Sequence, residues 1–251
     1  MNGSQGWLIV KSDILADEAK RVFGDEVNIT TEGQRHLGAV IGSLEFKDQY
    51  CREKVLGWKG ELEALSEIAR SQPHTAYTVF TKGYKSKVTY FMCTIESFED
   101  YVSPIQEAVD DLLLPTLFGP TEPLPSDLRQ LVALTPAQGG LGVPDLRFEA
   151  PQQFAASTSI TAPHVDSITT QSMFMVAGEN STEELKALKT ASIKLRMESI
   201  DSTLPLDLLR SRDKGASSWL TAVTLVDQGL VLNKHKFSDS LRLRYNMPLS
   251  D

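Results

Sequence analysis

Two adjacent carboxylates, Asp110 and Asp111, invite comparison with a pair that holds metal ions. Paired carboxylates position the divalent cations that activate a hydroxyl and neutralise a leaving phosphate. Here the pair falls inside a helical pattern and runs into Leu112-Leu113-Leu114, with no strand-turn-strand to aim both groups at one ion. A helix-capping or solvent-facing role is the expectation. His74 follows Pro73 and has no partner at the spacing of a metal site or a catalytic nucleophile. Ser217-Ser218 has no neighbouring His or Lys to activate a hydroxyl. Cys51 and Cys93 support neither a disulfide framework nor a zinc site, and are expected as reduced thiols packed in helices. Gly139-Gly140-Leu141-Gly142 suits a tight turn with close backbone approach. As a phosphate cradle it would need a following Lys-Ser/Thr and a preceding strand, and it has neither. No catalytic constellation is present, so no enzymatic activity, metal or cofactor is assigned to these residues.

Basic side chains offer a different chemistry, attraction to a phosphate backbone. Lys47, Arg52, Lys54, Lys59, Arg70, Lys82, Lys85 and Lys87 recur over 47–87, whereas no Lys or Arg lies between Lys87 and Arg129. Acids Asp48, Glu53, Glu61 and Glu63 are interleaved with the first group, so a nucleic-acid face and a solvated helix face both remain open. The net charge of −8 argues against a free-standing nucleic-acid binder.

These residues must be held by the following elements. Trp7 to Val10 is a run of strand length. Ser12 caps a helix carrying Ile14, Leu15, Ala19, Val22 and Phe23 to a stop at Gly24. Val27 to Thr31 alternates with period two, Glu32-Gly33 supplies a turn, and Leu37 to Ile41 is a second β-rich run. This strand-helix-strand-strand unit of 1–45 is too short to hold a core by itself. Residues 46–135 read as a helical bundle. Its first helix presents Cys51, Val55, Trp58, Leu62, Leu65 and Ala69 on one face, and its second presents Tyr77, Phe80, Tyr84, Val88 and Phe91. The spacing of the aromatic residues makes them core before it makes them base-stacking platforms. A capping box at Ser103-Pro104-Ile105-Gln106 opens a third helix that runs to Pro115, and Ser126 caps a short fourth ending near Leu134. The segment Gly119 to Pro125 is a connection. Residues 136–251 hold further helices: Phe148 to Ile160, Pro163 to Met175, one opened by a capping box at Ser181 and running to about Ile200, and a short one from Leu206 to Ser211.

The fold class expected is therefore α+β and mostly helical. With 41% hydrophobic and 23% charged residues the chain can bury a substantial core. No apolar run approaches the roughly 20 residues of a membrane crossing and no signal-like segment is seen, so an intracellular protein of cytoplasm or nucleus, neither membrane-bound nor secreted, is expected.

Trp7-Leu8-Ile9-Val10-Lys11, the run from Thr30 to Gly42 containing Gln34-Arg35-His36-Leu37-Gly38, the Gly139 to Gly142 turn, and Gly215-Ala216-Ser217-Ser218-Trp219-Leu220 with Arg244-Tyr245 together resemble the downstream half of retrotransposon reverse transcriptases. The likeness spans nearly the whole chain and is to non-LTR-like elements of the kind abundant in marine invertebrates. It implies a small strand-helix-hairpin palm remnant over 1–45, a thumb-like bundle over 46–135 and a downstream polyprotein region over 136–251. It further implies that His36, Leu37 and Gly38 form a primer grip, and that Lys54, Lys59, Lys82, Lys85 and Lys87 belong to a thumb contacting an RNA/DNA template-primer. The parent polymerase would use Mg2+ held by aspartates that are not in this sequence, so a fragment without polymerase activity is expected. A helical interaction or scaffold protein with no nucleic-acid role is the alternative.

Overall fold

A computed structural model describes residues 6–119, 123–171, 179–202, 206–223, 225 and 227–249. The protein is mostly helical with small sheets, an α+β fold. It divides into two compact units, Met1–Gly57 and Trp58–Asp251.

In the first unit β1 (Gly6–Ile9) pairs in parallel with β2 (Val27–Thr30), and α1 (Asp13–Phe23) connects them. Ser12 caps α1 by accepting from the Leu15 amide at 3.4 Å. The run after β2 folds as a hairpin of β3 (Gly33–His36) and β4 (Ala39–Gly42), with Gly33 opposite Gly42 and His36 opposite Ala39. Its turn is therefore at Leu37-Gly38, not at Glu32-Gly33 as alternation suggests. The two turn residues have φ of 49° and 86°, the doubly positive geometry whose twist matches flanking strands, and glycine supplies the second at little cost. No residue of α1 is buried. Ile14 and Val22 are 73% and 75% exposed, so these two members of the apolar stripe that predicts this helix lie largely uncovered among the described residues.

α2 (Leu44–Ala69) leads into the second unit, where α3 (Pro73–Val79), a π turn at Phe80–Tyr84 and α4 (Lys85–Thr94) form one continuous rod. The π turn has local causes. Thr81 Oγ1 donates to the carbonyls of Tyr77 and Thr78, at 2.9 and 3.4 Å, and Gly83 lowers the helical preference of the same turn. Tyr77, Phe80, Tyr84, Val88 and Phe91 are all buried, as their spacing demands. Trp58 meets Phe91 edge-to-face with centroids 4.7 Å apart.

The next rod, α5 (Ser103–Ala108), a π turn at Val109–Leu113 and α6 (Leu114–Leu117), does not stop at Pro115. A proline removes one amide donor and crowds the carbonyl four residues back, and the wider turn before it accommodates both effects. The capping box expected at Ser103 does not form, because Val102 occupies the cap position and makes no side-chain bond there. Gln106 is instead buried and accepts from the Leu146 amide at 2.8 Å. Ser126 is likewise inside α7 (Ser126–Ala133), one residue past its cap.

Beyond the glycine-rich loop, α8 (Leu146–Thr170) is one helix where two were expected, with Pro151 and Pro163 inside it. Asp145 caps its start, and its packing against α4 offsets the local cost of the prolines. The expected helical stretch to Met175 runs partly outside the described residues. α9 (Glu179–Asp201) begins two residues before the expected Ser181 box. A 3-10 turn (Leu206–Arg212), α10 (Ser218–Thr221) and α11 (Lys234–Arg244) complete the unit. α11 packs on α3, and among the described residues no helix is long and apolar enough to cross a membrane.

Candidate functional site

His36, Leu37 and Gly38 lie at the tip of the β3–β4 hairpin, where Leu37 is 83% exposed. The tip is tethered from below. Tyr50 of α2 donates its hydroxyl to the Gly38 carbonyl at 3.0 Å, and the Arg35 and Lys54 cations lie 5.7 and 5.6 Å from the centre of its ring. Sequence reasoning found the hairpin and Lys54 separately. The tyrosine that joins them was missed, although its position on the first turns of α2 is the signal that could have found it.

The other basic positions do not converge. Lys59 lies 3.7 Å from Glu63, Lys87 pairs with Glu61 of α2, Arg52 with Asp48 at 2.8 Å and Arg70 with Glu67 at 3.0 Å. Lys85 donates to the Gly142 carbonyl at 3.4 Å, so the two lysines of α4 point to different neighbours. Lys82 is exposed. The interleaved acids thus neutralise several cations locally, and exposed pairs of this sort add little stability.

Asp110 is neither a cap nor a solvent-facing group. Its carboxylate accepts from Arg129 Nε at 2.6 Å and from Gln106 Nε2 at 2.8 Å. Arg129 also donates to the carbonyls of Val143 and Pro144, at 3.0 and 2.9 Å. This ties α7 and the start of α8 to the second rod. Asp111 is exposed, so the two carboxylates diverge, and no group of three His, Cys, Asp or Glu among the described residues is placed to hold a metal.

The glycine-rich loop is closed to ligands by its own bonding. Its amides are consumed: Gly140 donates to Thr135, Leu141 to Val132 and Gly142 to Leu134, at 2.7–3.0 Å. A Cβ at Gly140 would lie 2.0 Å from the Leu134 carbonyl oxygen, so only glycine permits the approach. Its carbonyls are taken by side chains from distant elements. Tyr77 reaches Leu141 at 2.8 Å, Tyr245 reaches Gly139 at 3.0 Å, Arg212 reaches Gln138 at 3.0 Å, and Ser217 and Arg244 share Pro136. Arg244 Nη1 also donates to Ala216 at 2.6 Å. The three downstream blocks singled out in the sequence therefore fold into one clasp. Burial pushes the Tyr245 hydroxyl up to about 12 against the lowering effect of Arg244, and raises Tyr77 as well, so both remain donors at neutral pH.

His74 is buried against Phe237, with ring centroids 4.9 Å apart, and its Nδ1 accepts from the Leu232 amide at 3.0 Å. Cys51 is buried and pushed up to about 11 by that burial, partly offset by Lys47, and Cys93 is raised by burial too. Neither thiol is an activated nucleophile.

Compared with models of known protein families, with curated proteins and with solved structures, the chain matches none.

Proposed function

We propose that this chain is a holding module for a template-primer duplex of RNA and DNA, a part of a reverse-transcriptase-like retroelement protein that grips a primer and does not extend it. The observation that carries the reading is the β3–β4 hairpin. It presents His36, Leu37 and Gly38 on an exposed tip, with Tyr50 fixing the turn and Arg35 and Lys54 flanking the ring. The motif likeness of the same residues supports it. Binding by such a surface depends on phosphate neutralisation and so weakens as salt rises, by a slope of about 0.9 per phosphate contacted.

The test is fluorescence anisotropy of a labelled RNA-DNA duplex titrated with the whole chain at low and moderate salt. Association at low salt, weakened about fivefold by Leu37→Asp or His36→Ala, is expected. Aspartate tolerates the positive φ at position 37, so the first variant keeps the turn. Absence of any association at low salt sinks the reading. A second reading, a helical interaction or scaffold protein without a nucleic-acid role, is favoured by the pairing of Lys59 and Lys87 with Glu63 and Glu61 and would be left standing by that result.

A further inference from the structure

Basic charge also gathers near the end of the described chain, around the blocks that form the clasp. Residues 206–246 hold seven Lys and Arg against four Asp and Glu, in a chain whose net charge is −8. Within that region lies a cleft of about 290 Å3, lined by Arg210, Ser211, Ala216, Leu243, Arg244 and Asn246. Its lining holds two guanidinium groups and, among the described residues, no carboxylate.

The two arginines differ in what holds them. Arg244 is fixed by neutral acceptors, the carbonyls of Ala216 and Pro136 and the hydroxyls of Ser217 and Tyr245, so it is oriented without being neutralised. Arg210 is exposed and has no carboxylate within ion-pair distance among the described residues. Its neighbour Arg212 is the one that takes Asp201, at 2.6 Å. The end of α11 does not supply the missing negative charge through its free carbonyls, because Leu241, Arg242 and Leu243 already accept from the Tyr245, Met247 and Asn246 amides. Leu243, beside Arg244 at the end of α11, is two-thirds exposed and adds an apolar surface to the cleft lining.

We propose that this cleft binds a small phosphomonoester, with Arg210 and Arg244 holding the dianionic phosphate and Leu243 covering an apolar or aromatic substituent. The planar Arg210 guanidinium can match two phosphate oxygens at once, while Arg244, four of whose five N–H groups are engaged, supplies its charge and the remaining Nη1 proton; ordering one exposed arginine costs less entropy than ordering two. The volume is at the lower end of ligand pockets, which suits a phosphate with one small ring and excludes a large cofactor. The inference stands apart from the template-primer reading, whose surface is the β3–β4 hairpin.

Phenyl phosphate, inorganic phosphate and diethyl phosphate are titrated into the full 15N-labelled chain at constant ionic strength, and backbone amide shifts are followed. Saturable shifts at residues 210–217 and 243–246 are expected, with phenyl phosphate tighter than inorganic phosphate and the monoanionic diester weaker than both. Arg210→Gln weakens phenyl phosphate about tenfold or more. Lys214→Gln, a charge change next to the cleft but outside it, leaves binding unchanged. Leu243→Ser erases the advantage of phenyl over inorganic phosphate. Both cleft variants alter exposed side chains, and unchanged spectra elsewhere confirm that the fold is kept. The proposal is overturned if phenyl phosphate gives no saturable shift by about 20 mM, if Arg210→Gln binds as tightly as the parent, or if the diester binds as well as the monoester, which would mark a nucleic-acid backbone contact.

Discussion

His74 accepts a hydrogen bond from the Leu232 amide through Nδ1, so that nitrogen carries no proton in the folded protein. Burial lowers its pKa from the ordinary 6.5. The sign of the pH dependence follows. Below 6.5 the unfolded ring binds more protons than the folded one, so stability is full above that value and is lost as pH falls from 6.5 through the folded-state pKa. The slope from one proton is at most about 1.4 kcal/mol per pH unit. Urea unfolding at neutral pH and at about pH 5.5 should show that loss in the parent, and His74→Leu should show less of it. An equal loss in both would assign the effect to other groups. At neutral pH His74→Leu also leaves the Leu232 amide without an acceptor, for a cost of about 1–3 kcal/mol.

Glycines test the elements. In α2, a Cβ at Gly60 meets open space, whereas at Gly140 it meets the Leu134 and Leu131 carbonyl oxygens at 2.0 and 2.5 Å. Gly60→Ala should therefore raise stability by about 0.5–1 kcal/mol through helix propensity. Gly140→Ala should lower it by about 3 kcal/mol or more, because a backbone carbonyl has nowhere to go. Thermal midpoints moving in the same direction for both would contradict the close approach. The clasp around that loop gives a second measurement. Tyr77→Phe removes one buried hydroxyl bond to a loop carbonyl while keeping the ring and should cost about 1 kcal/mol in chemical denaturation, and Tyr245→Phe, which also takes the hydroxyl that accepts from Arg244, should cost at least as much.

Across the molecule, burial is unevenly distributed between the two units. Among residues 6–57 only Gly33, Tyr50, Cys51 and Val55 are buried, while α5, α6 and α7 of the second unit carry Ile105, Leu114, Leu117, Leu131 and Val132 essentially sealed. Local opening free energies track such burial. Amides of α1 should exchange with solvent far faster than those of α6 and α7, and hydrogen exchange read by mass spectrometry reports both from one sample. Equal protection would mean that α1 is covered in solution by something that packs on Ile14 and Val22.

Much of this architecture was legible in the residues themselves. Helical spacing placed Tyr77, Phe80, Tyr84, Val88 and Phe91 in a core, and they are buried there, because periodicity reports which face a helix turns inward. Ser12 and Gly24 bounded α1 for an equally local reason, the bonding of free amides and carbonyls at its ends. What local pattern could not decide was where long-range partners intervene. Gln106 leaves its expected cap for an amide 40 residues away, and Asp110 is an ion-pair partner of Arg129. The Gly139 and Leu141 carbonyls are claimed by the distant side chains of Tyr245 and Tyr77. A hydrogen-bonding group has the same type in a cap, a cradle or a clasp, and its role is set by which donor or acceptor the tertiary fold brings within reach.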